Sequence, residues 1–355
     1  MQPLRTTPHL WAFPVAGPTD MASDEHTIAL ILAAARLLTL LCCLFGAAYL
    51  DLKVRRVPND WWITWAKPAL FILCLELWVT EADWTIWLSV SAMVAYASTT
   101  VIGRPTLRDL SSGSLQDWMV TIWYVVGGIG LAAGALTHGT VLFDLLDVRS
   151  GVAPQYDSAM TEAAWAWGRV LLLGLVLLFF ELAYHMRLLH GGADVKGMMF
   201  VALCLPWWSA VHFTPAGITP PALSLLIWGA VTFLVLPVWV FIGNLRAGDA
   251  GNLRMAWHAR RMELGHIPGR HVWLLDEVME TPDGERTVLT RTRPQRGGRA
   301  ENEVESVLEE LAAAGADKAW VTEKYPFLVF LLVGTLPLFL FGDPVGLLLG
   351  ALGLT

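Results

Sequence analysis

The fold class follows from residues 27–50, which read TIALILAAARLLTLLCCLFGAAYL and contain a single charged residue, Arg36. A helix of about 20 apolar residues crosses the roughly 30 Å of hydrocarbon in a bilayer. A helix also satisfies its own backbone hydrogen bonds, which a chain inside a membrane must do. We therefore predict a first transmembrane helix at 27–50. Arg36 is expected to pair with an intramembrane carboxylate or to face the interior of a helical bundle.

The composition of the whole chain supports a membrane location. Hydrophobic residues make up 55% of the 355 residues and charged residues 15%, and the mean hydropathy is +0.53. Soluble domains carry about 25% charged residues, so a soluble protein this apolar would not cover its own surface. The 18 tryptophans, against six tyrosines, suit rings placed at the membrane interfaces. The lipid bilayer is thus an expected partner, and a net charge of −7 gives no indication of nucleic acid binding.

Further apolar runs predict an all-α polytopic membrane protein with about eight transmembrane helices. The predicted spans lie near residues 27–50, 61–80, 84–102, 118–136, 164–185, 197–213, 222–243 and 326–342. The sixth span is short and contains Pro206, which favours a kink or an irregular end. Another apolar stretch follows Pro344.

Loop charges predict how these spans are oriented. The loop after the first span contains Lys53, Arg55 and Arg56, whereas the loop at 137–163 is mainly acidic. Basic loops stay on the cytoplasmic side of a membrane. We therefore predict a multi-pass protein of the cell membrane, with its N-terminus outside and the 244–325 segment in the cytoplasm.

The 244–325 segment is more polar than the spans, and it predicts a small cytoplasmic α+β insert. Strands are expected at 271–280 and 286–292 with a turn between them, and a helix is expected at 301–314 that ends at Gly315. The predicted domains are an extracytoplasmic tail at 1–26, a membrane core at 27–243, the cytoplasmic module at 244–325 and a C-terminal membrane segment at 326–355.

Two acidic residues stand at predicted helix ends on the cytoplasmic side. Asp51 opens the run DLKVRRVPN at 51–59, and Asp194 lies in HGGADVK at 190–196. They are 143 residues apart (194 − 51), yet both lie at the membrane boundary, where an ionisable group is a functional candidate. Two carboxyl groups held close together share one proton, because both cannot easily ionise. Such a pair supplies the base and the acid for attack of water on a peptide carbonyl, so no metal or organic cofactor is expected.

Simpler interpretations of these residues stay open at this point. Asp51 is also explained as a solvated charge at a helix end, and Asp194 as the N-cap of the sixth span. Lys196 and Arg56 are also explained as basic anchors at the membrane surface.

Other residues near the two aspartates have expected roles as well. Gly191 and Gly192 permit backbone conformations closed to other residues and the close approach of a substrate strand. Glu181 and His185 lie one turn apart, which favours a polar contact between helices over a metal site or a proton relay. The four cysteines lie in apolar runs without a CxxC pair, so neither a disulfide framework nor a zinc site is expected.

The two motifs together resemble those of the type IV prepilin peptidases, and most closely the archaeal preflagellin peptidase branch of GxGD-type aspartic proteases. D-x-x-x-R-R-V-P-N follows the first span and G-G-A-D-x-K precedes a later one, with Ala193 in place of the second glycine of the family pattern. The resemblance covers the first span with its loop and the block from about His190 to Asn244. It implies that Asp51 and Asp194 are the catalytic pair. The supporting positions that it implies are Arg56, Pro58, Asn59, Gly191, Gly192 and Lys196.

The function implied by this resemblance is removal of short leader peptides at the cytoplasmic face of the membrane. The implied substrates are precursors of archaellins or type IV pilin-like proteins with class III-type leaders. Two features depart from the simple archaeal members: four predicted spans separate the aspartates instead of two, and the 244–325 module is additional. No cysteine-bearing methyltransferase insert precedes Asp51, so no methylation activity is predicted.

Two other functions compete with this one. In a proton-coupled transporter, Asp51, Asp194 and Glu181 would relay protons, but carriers place such groups near the bilayer midplane and often contain repeats. A non-catalytic membrane scaffold would use the 244–325 module to recruit partners. The sequence gives no indication of the oligomeric state.

Overall fold

The computed structural model describes residues 23–104, 106, 114–147, 156–189, 191–211, 217–281, 286–294 and 301–354, without the side chains of 23–25 and 301–302. Three predicted features lie outside this description: most of the tail at 1–26, the turn at 282–285, and His190.

The described part of the chain is mainly helical. Its helices are α1 (Ser23–Val54), α2 (Asn59–Val79), α3 (Trp84–Ile102), α4 (Leu115–Leu146), α5 (Ser158–His185), α6 (Gly192–Cys204), α7 (Pro221–Ala247), α8 (Leu253–Ala256), α9 (Glu301–Ala313), α10 (Phe327–Phe341) and α11 (Pro344–Ala351). Six of them, α1 to α5 and α7, are long and apolar enough to cross a membrane. The pair α10 and α11 passes the same test together but is bent by 50°. The protein is thus a polytopic α-helical membrane protein with six or seven candidate spans, where about eight were predicted.

The predicted sixth span at 197–213 is the main difference from the sequence prediction. The helix found there, α6, has 13 residues and ends at Cys204. It ends because Pro206 has no N–H to donate and its ring disfavours a helical conformation at Leu205. A short 3-10 turn at Trp208–Ala210 follows. At about 1.5 Å per residue, α6 is roughly 20 Å long, which is less than the thickness of the hydrocarbon layer.

A buried arginine connects three parts of the membrane bundle. The Arg36 side chain on α1 is 1% exposed and forms an ion pair with Glu76 on α2. It also donates to the Cys204 carbonyl at 2.8 Å, a group left without a helical partner by the end of α6. Glu76 accepts a second hydrogen bond, from Trp207 Nε1 at 2.8 Å. The prediction that Arg36 pairs with a carboxylate in the bundle interior is confirmed.

The chain divides into two compact units. One contains the described residues up to Gly229 together with those from Phe327 onward, and the other is Ala230–Pro326. The second unit therefore begins inside the predicted seventh span rather than after it. The predicted domain boundaries after residues 26, 243 and 325 stay predictions.

The second unit contains two small sheets. Its strands are β1 (Arg260–Glu263), β2 (Val272–Leu274), β3 (Asp276–Glu280), β4 (Arg286–Thr290) and β5 (Lys318–Glu323). The first sheet is antiparallel in the order β1-β5-β2, and β3 pairs with β4 as a hairpin in which Val278 faces Val288. Leu308 and Leu311 of α9 belong to one buried apolar cluster with Met262 and Val321 of the first sheet.

The predicted elements of this unit are confirmed in part. The strand expected at 271–280 is found as β2 and β3, the strand expected at 286–292 as β4, and the helix expected at 301–314 as α9. Gly315 follows α9 with a φ of 80°, a conformation that suits a glycine after a helix. The sequence prediction missed β1 and β5, which are short and meet only through long-range pairing.

Arg36→Met is expected to lower the free energy of unfolding by about 3 kcal/mol, because it leaves the half-buried Glu76 carboxylate without its ion-pair partner. The Cys204 carbonyl also loses its donor. The double variant Arg36→Met with Glu76→Leu is expected to recover a large part of this loss, since an apolar pair replaces the ion pair. Denaturant unfolding of the purified protein in detergent measures both effects. Equal stability of Arg36→Met and the unmodified protein would contradict the role assigned to Arg36.

Candidate active site

Asp51 lies in the last turn of α1 and is half-buried. The helix ends shortly after it because Arg55 adopts a positive φ of 54°. The Arg55 N–H still donates to the Asp51 carbonyl at 3.1 Å, so the backbone around Asp51 remains helical. The carboxylate is therefore carried on a regular helix, one turn from the point where the chain leaves it.

Asp194 lies in the first turn of α6 and is also half-buried. The N-cap residue of α6 is Gly191, so the alternative interpretation of Asp194 as the N-cap is wrong. Asp194 occupies the third helical position, and its carboxylate accepts a hydrogen bond from the Gly191 backbone. An acidic residue at this position commonly bonds back to the N-cap N–H in this way.

The reason for a glycine at 191 is space rather than backbone freedom. Gly191 has φ −95° and ψ 128°, an extended conformation open to any residue, so the expectation of an unusual backbone is wrong here. A Cβ at 191 would instead lie 2.9 Å from the Asp194 Cγ, and closer still to its Oδ2. A Cβ at Gly192 would meet nothing within 4 Å. Gly191 therefore leaves room for the Asp194 carboxyl group, and Gly192 does not have this role.

A hydrogen bond joins the two sequence motifs directly. Lys196 Nζ on α6 donates to Asn59 Oδ1 at the start of α2, at 2.6 Å. The Asn59 side-chain amide donates in turn to the Val101 carbonyl at the end of α3, at 3.1 Å. Asn59 thereby connects the first residues of α2, the last turn of α3 and the second residue after Asp194. The two motifs lie at the same end of the helical bundle.

The two aspartates interact electrostatically. Burial, followed by the charge of Asp51, raises the pKa of Asp194 to about 6. The helices α1 and α6 run antiparallel. Arg36 on α1 contacts Cys204 at the end of α6, whereas Asp51, later on α1, interacts with Asp194 at the start of α6. Asp51 lies about 22 Å along α1 from Arg36, and Asp194 about 15 Å along α6 from Cys204. Helical side chains lean toward the N-terminus of their own helix, so these two carboxyl groups lean toward each other.

The other residues predicted to support the site have varied environments. Ala193 is half-buried and packs against the apolar core of the bundle. Pro58 is the N-cap of α2, with φ −67° and ψ 153°, and its side chain is exposed. Arg56 and Gly192 are exposed. The structure thus places Gly191 against the Asp194 carboxyl group, joins Asn59 to Lys196 and packs Ala193 on the core, whereas the other three are exposed.

The polar contact between helices that was predicted for Glu181 is found at this end of the bundle, but sequence reasoning did not identify its partners. The Glu181 carboxylate on α5 accepts from the Tyr96 hydroxyl on α3 and forms an ion pair with Arg104. His185 bonds to the Glu181 backbone carbonyl at 2.8 Å rather than to its carboxylate. Tyr96, the tyrosine of a span without charged residues, was the available signal for this contact. Among the residues that the structure describes, no group of His, Cys, Asp and Glu is arranged to hold a metal ion.

Comparison with known proteins gives one family match. Residues 251–344 match the family model described as Archaeal Peptidase A24 C-terminus Type II. The match covers most of the second compact unit and α10, and it includes neither Asp51 nor Asp194. No curated protein matches the chain.

Gly191→Ala is expected to destabilise the protein by about 1 kcal/mol, because alanine is a poorer N-cap than glycine and its methyl group displaces the end of the Asp194 side chain. Gly192→Ala is the matched control, since its added methyl group enters open space. We expect its unfolding temperature to equal or slightly exceed that of the unmodified protein, because alanine favours a helix over glycine. Thermal unfolding in detergent compares the two variants. Equal stability of both would show that the space at 191 is unimportant.

Proposed function

We infer from the match at residues 251–344, which supports an archaeal prepilin/preflagellin peptidase family, that this chain is a membrane-bound aspartic endopeptidase. The proposed substrates are precursors of archaellins or type IV pilin-like proteins, each with a short basic leader followed by an apolar helix. The proposed cleavage site lies where the leader ends and the apolar helix begins. The match supports the family, and the long apolar helices support the membrane location. The reaction and the residues that carry it out are proposed.

One observation carries the assignment of the catalytic residues. Burial raises the pKa of Asp194 most, and the charge of Asp51 raises it further, although 143 residues (194 − 51) separate the two aspartates in the chain. Two carboxyl groups that interact in this way hold one proton between them at pH values up to about 6, the pKa of Asp194. A peptidase of this type requires that state, because one group must accept a proton while the other donates one.

The proposed reaction uses only these two carboxyl groups and a water molecule. The ionised carboxylate removes a proton from water as the water oxygen attacks the scissile carbonyl carbon. The protonated carboxyl group donates to the developing oxyanion, and a proton then passes to the leaving nitrogen as the C–N bond breaks. Because the two groups titrate as a pair, neither aspartate is assigned one fixed role.

The proposed orientation places this site at the cytoplasmic face. Lys53, Arg55 and Arg56 follow Asp51 directly, and such basic loops remain in the cytoplasm. The N-terminus of α1 then lies outside the cell. An extracytoplasmic tail and a cytoplasmic active site are both part of the proposal.

Asp51→Asn and Asp194→Asn are each expected to reduce precursor cleavage by about a thousandfold or more, since either change removes the shared proton chemistry. Asp60→Asn is the matched control, because Asp60 is an exposed carboxylate in the first turn of the neighbouring helix α2. Cleavage of a leader-bearing precursor in membranes, followed by gel mobility, measures all three. Full activity in either Asp51→Asn or Asp194→Asn would refute the proposal. If the protein were a non-catalytic scaffold, neither change would alter precursor cleavage.

The cleavage rate is expected to fall as the pH rises above about 6, the pKa of Asp194. Above that pH the second carboxyl group ionises, so the singly protonated pair becomes scarcer by about tenfold per pH unit. Values of kcat/KM measured from pH 4 to 9 test this expectation, because they report the ionisation of the free enzyme. A rate that stays constant up to pH 9 would show that no carboxyl proton of this pair takes part.

A further inference from the structure

The Glu181 carboxylate is enclosed, whereas the cation paired with it is in water. The Glu181 side chain is 14% exposed and the Arg104 side chain 62% exposed. The Tyr96 hydroxyl holds the second carboxylate oxygen from the interior of the bundle. Arg104 comes directly after Gly103, where α3 ends with a φ of 93°, so Arg104 itself lies outside the helix.

Glu181 and Asp194 lie at the same end of two packed helices. The helices α5 and α6 pack against each other and are joined by residues 186–191. Glu181 lies about 6 Å before the end of α5, and Asp194 about 3 Å after the start of α6. Packed helix axes are about 8–10 Å apart, so these two points along the helices are roughly 10 Å apart.

Only one partner of this ion pair is enclosed. Water competes for the exposed Arg104 guanidinium, so the pair holds its cation less firmly than a fully buried pair does. The Tyr96 hydroxyl keeps the Glu181 carboxylate oriented when the guanidinium leaves. A second cation that approaches from the same side therefore finds a preformed acceptor.

We propose that Glu181 binds a lysine or arginine side chain of the substrate, and that Arg104 occupies this site when substrate is absent. This inference rests on the proposed peptidase function. An extended peptide advances about 3.3 Å per residue, so a basic residue about three positions from the scissile bond spans the distance from Asp194 to Glu181. The site thereby selects precursors whose leader is basic close to the cleavage point.

A purely structural ion pair and an exchangeable one differ in the effect of removing the arginine. If the pair only joins α3 to α5, loss of either partner weakens the same contact and both variants behave alike. If Arg104 competes with the substrate, its removal improves substrate binding, whereas removal of the Glu181 charge weakens it. The two variants then change KM in opposite directions.

The test uses the full-length protein in membranes with Glu181→Gln and Arg104→Gln. Each is assayed on a precursor with a basic leader and on a matched precursor whose leader lysines and arginines are changed to glutamine. Glu181→Gln is expected to raise KM for the basic leader by about tenfold, with kcat little changed and no effect on the neutral leader. Arg104→Gln is expected to lower KM for the basic leader by about threefold.

Three outcomes would overturn the inference. They are an increase in KM in Arg104→Gln, an equal effect of Glu181→Gln on basic and neutral leaders, and a KM that neither variant changes. The unfolding temperature of Glu181→Gln shows whether that variant folds. If it does not, Arg104→Gln still decides the question, because Arg104 is exposed and its replacement leaves the fold intact. Failure of the proposed function gives a different result, because Asp51→Asn would then still cleave the precursor. If cleavage requires both aspartates but neither Glu181→Gln nor Arg104→Gln changes KM, only the inference is refuted.

Discussion

The arrangement of the membrane bundle depends on satisfying the Arg36 guanidinium within a transmembrane helix. A buried charge without partners is costly, so Arg36 requires both a carboxylate and further acceptors. Glu76 supplies the charge, and the Cys204 carbonyl supplies an acceptor that exists because α6 ends early before Pro206. One side chain therefore joins α1 to α2 and sets the depth at which α6 ends. That depth in turn determines where α6 begins, and so where Asp194 lies relative to Asp51.

Contacts at the opposite end complete the placement of α6. The hydrogen bond from Lys196 to Asn59 connects α6 to α2, and Asn59 also bonds to α3 at Val101. Gly191 leaves the space that the Asp194 carboxyl group fills. Reactive groups must be held to within about half an ångström to act together, and one residue of helical slip already moves a side chain by about 1.5 Å. Contacts at both ends of a short helix meet this requirement better than one contact would.

Two separate parts of the chain support the same family. The motif resemblance rests on the first span with its loop and on the block from about His190 to Asn244. The family match rests on residues 251–344, which begin where that block has ended. The motif segments and the matched segment share no residue. A chance motif in the first segments would therefore not also produce the family match in residues 251–344. Most of the second unit lies inside the family match, whereas both aspartates lie in the first unit and outside the match.

The sequence by itself determined the membrane fold class, the approximate positions of most spans, the β3-β4 hairpin and the two aspartate motifs. Each of these follows from local patterns, because lipid requires long apolar helices and turns require particular residues. The tertiary structure alone decided that α6 stops at Cys204, that β1 and β5 pair, and that Gly191 makes room for Asp194. It also decided that Glu181 meets Tyr96 and Arg104, which are 85 and 77 residues away. Contacts over such separations depend on how whole helices pack, and no local period in the sequence encodes which side chains then meet.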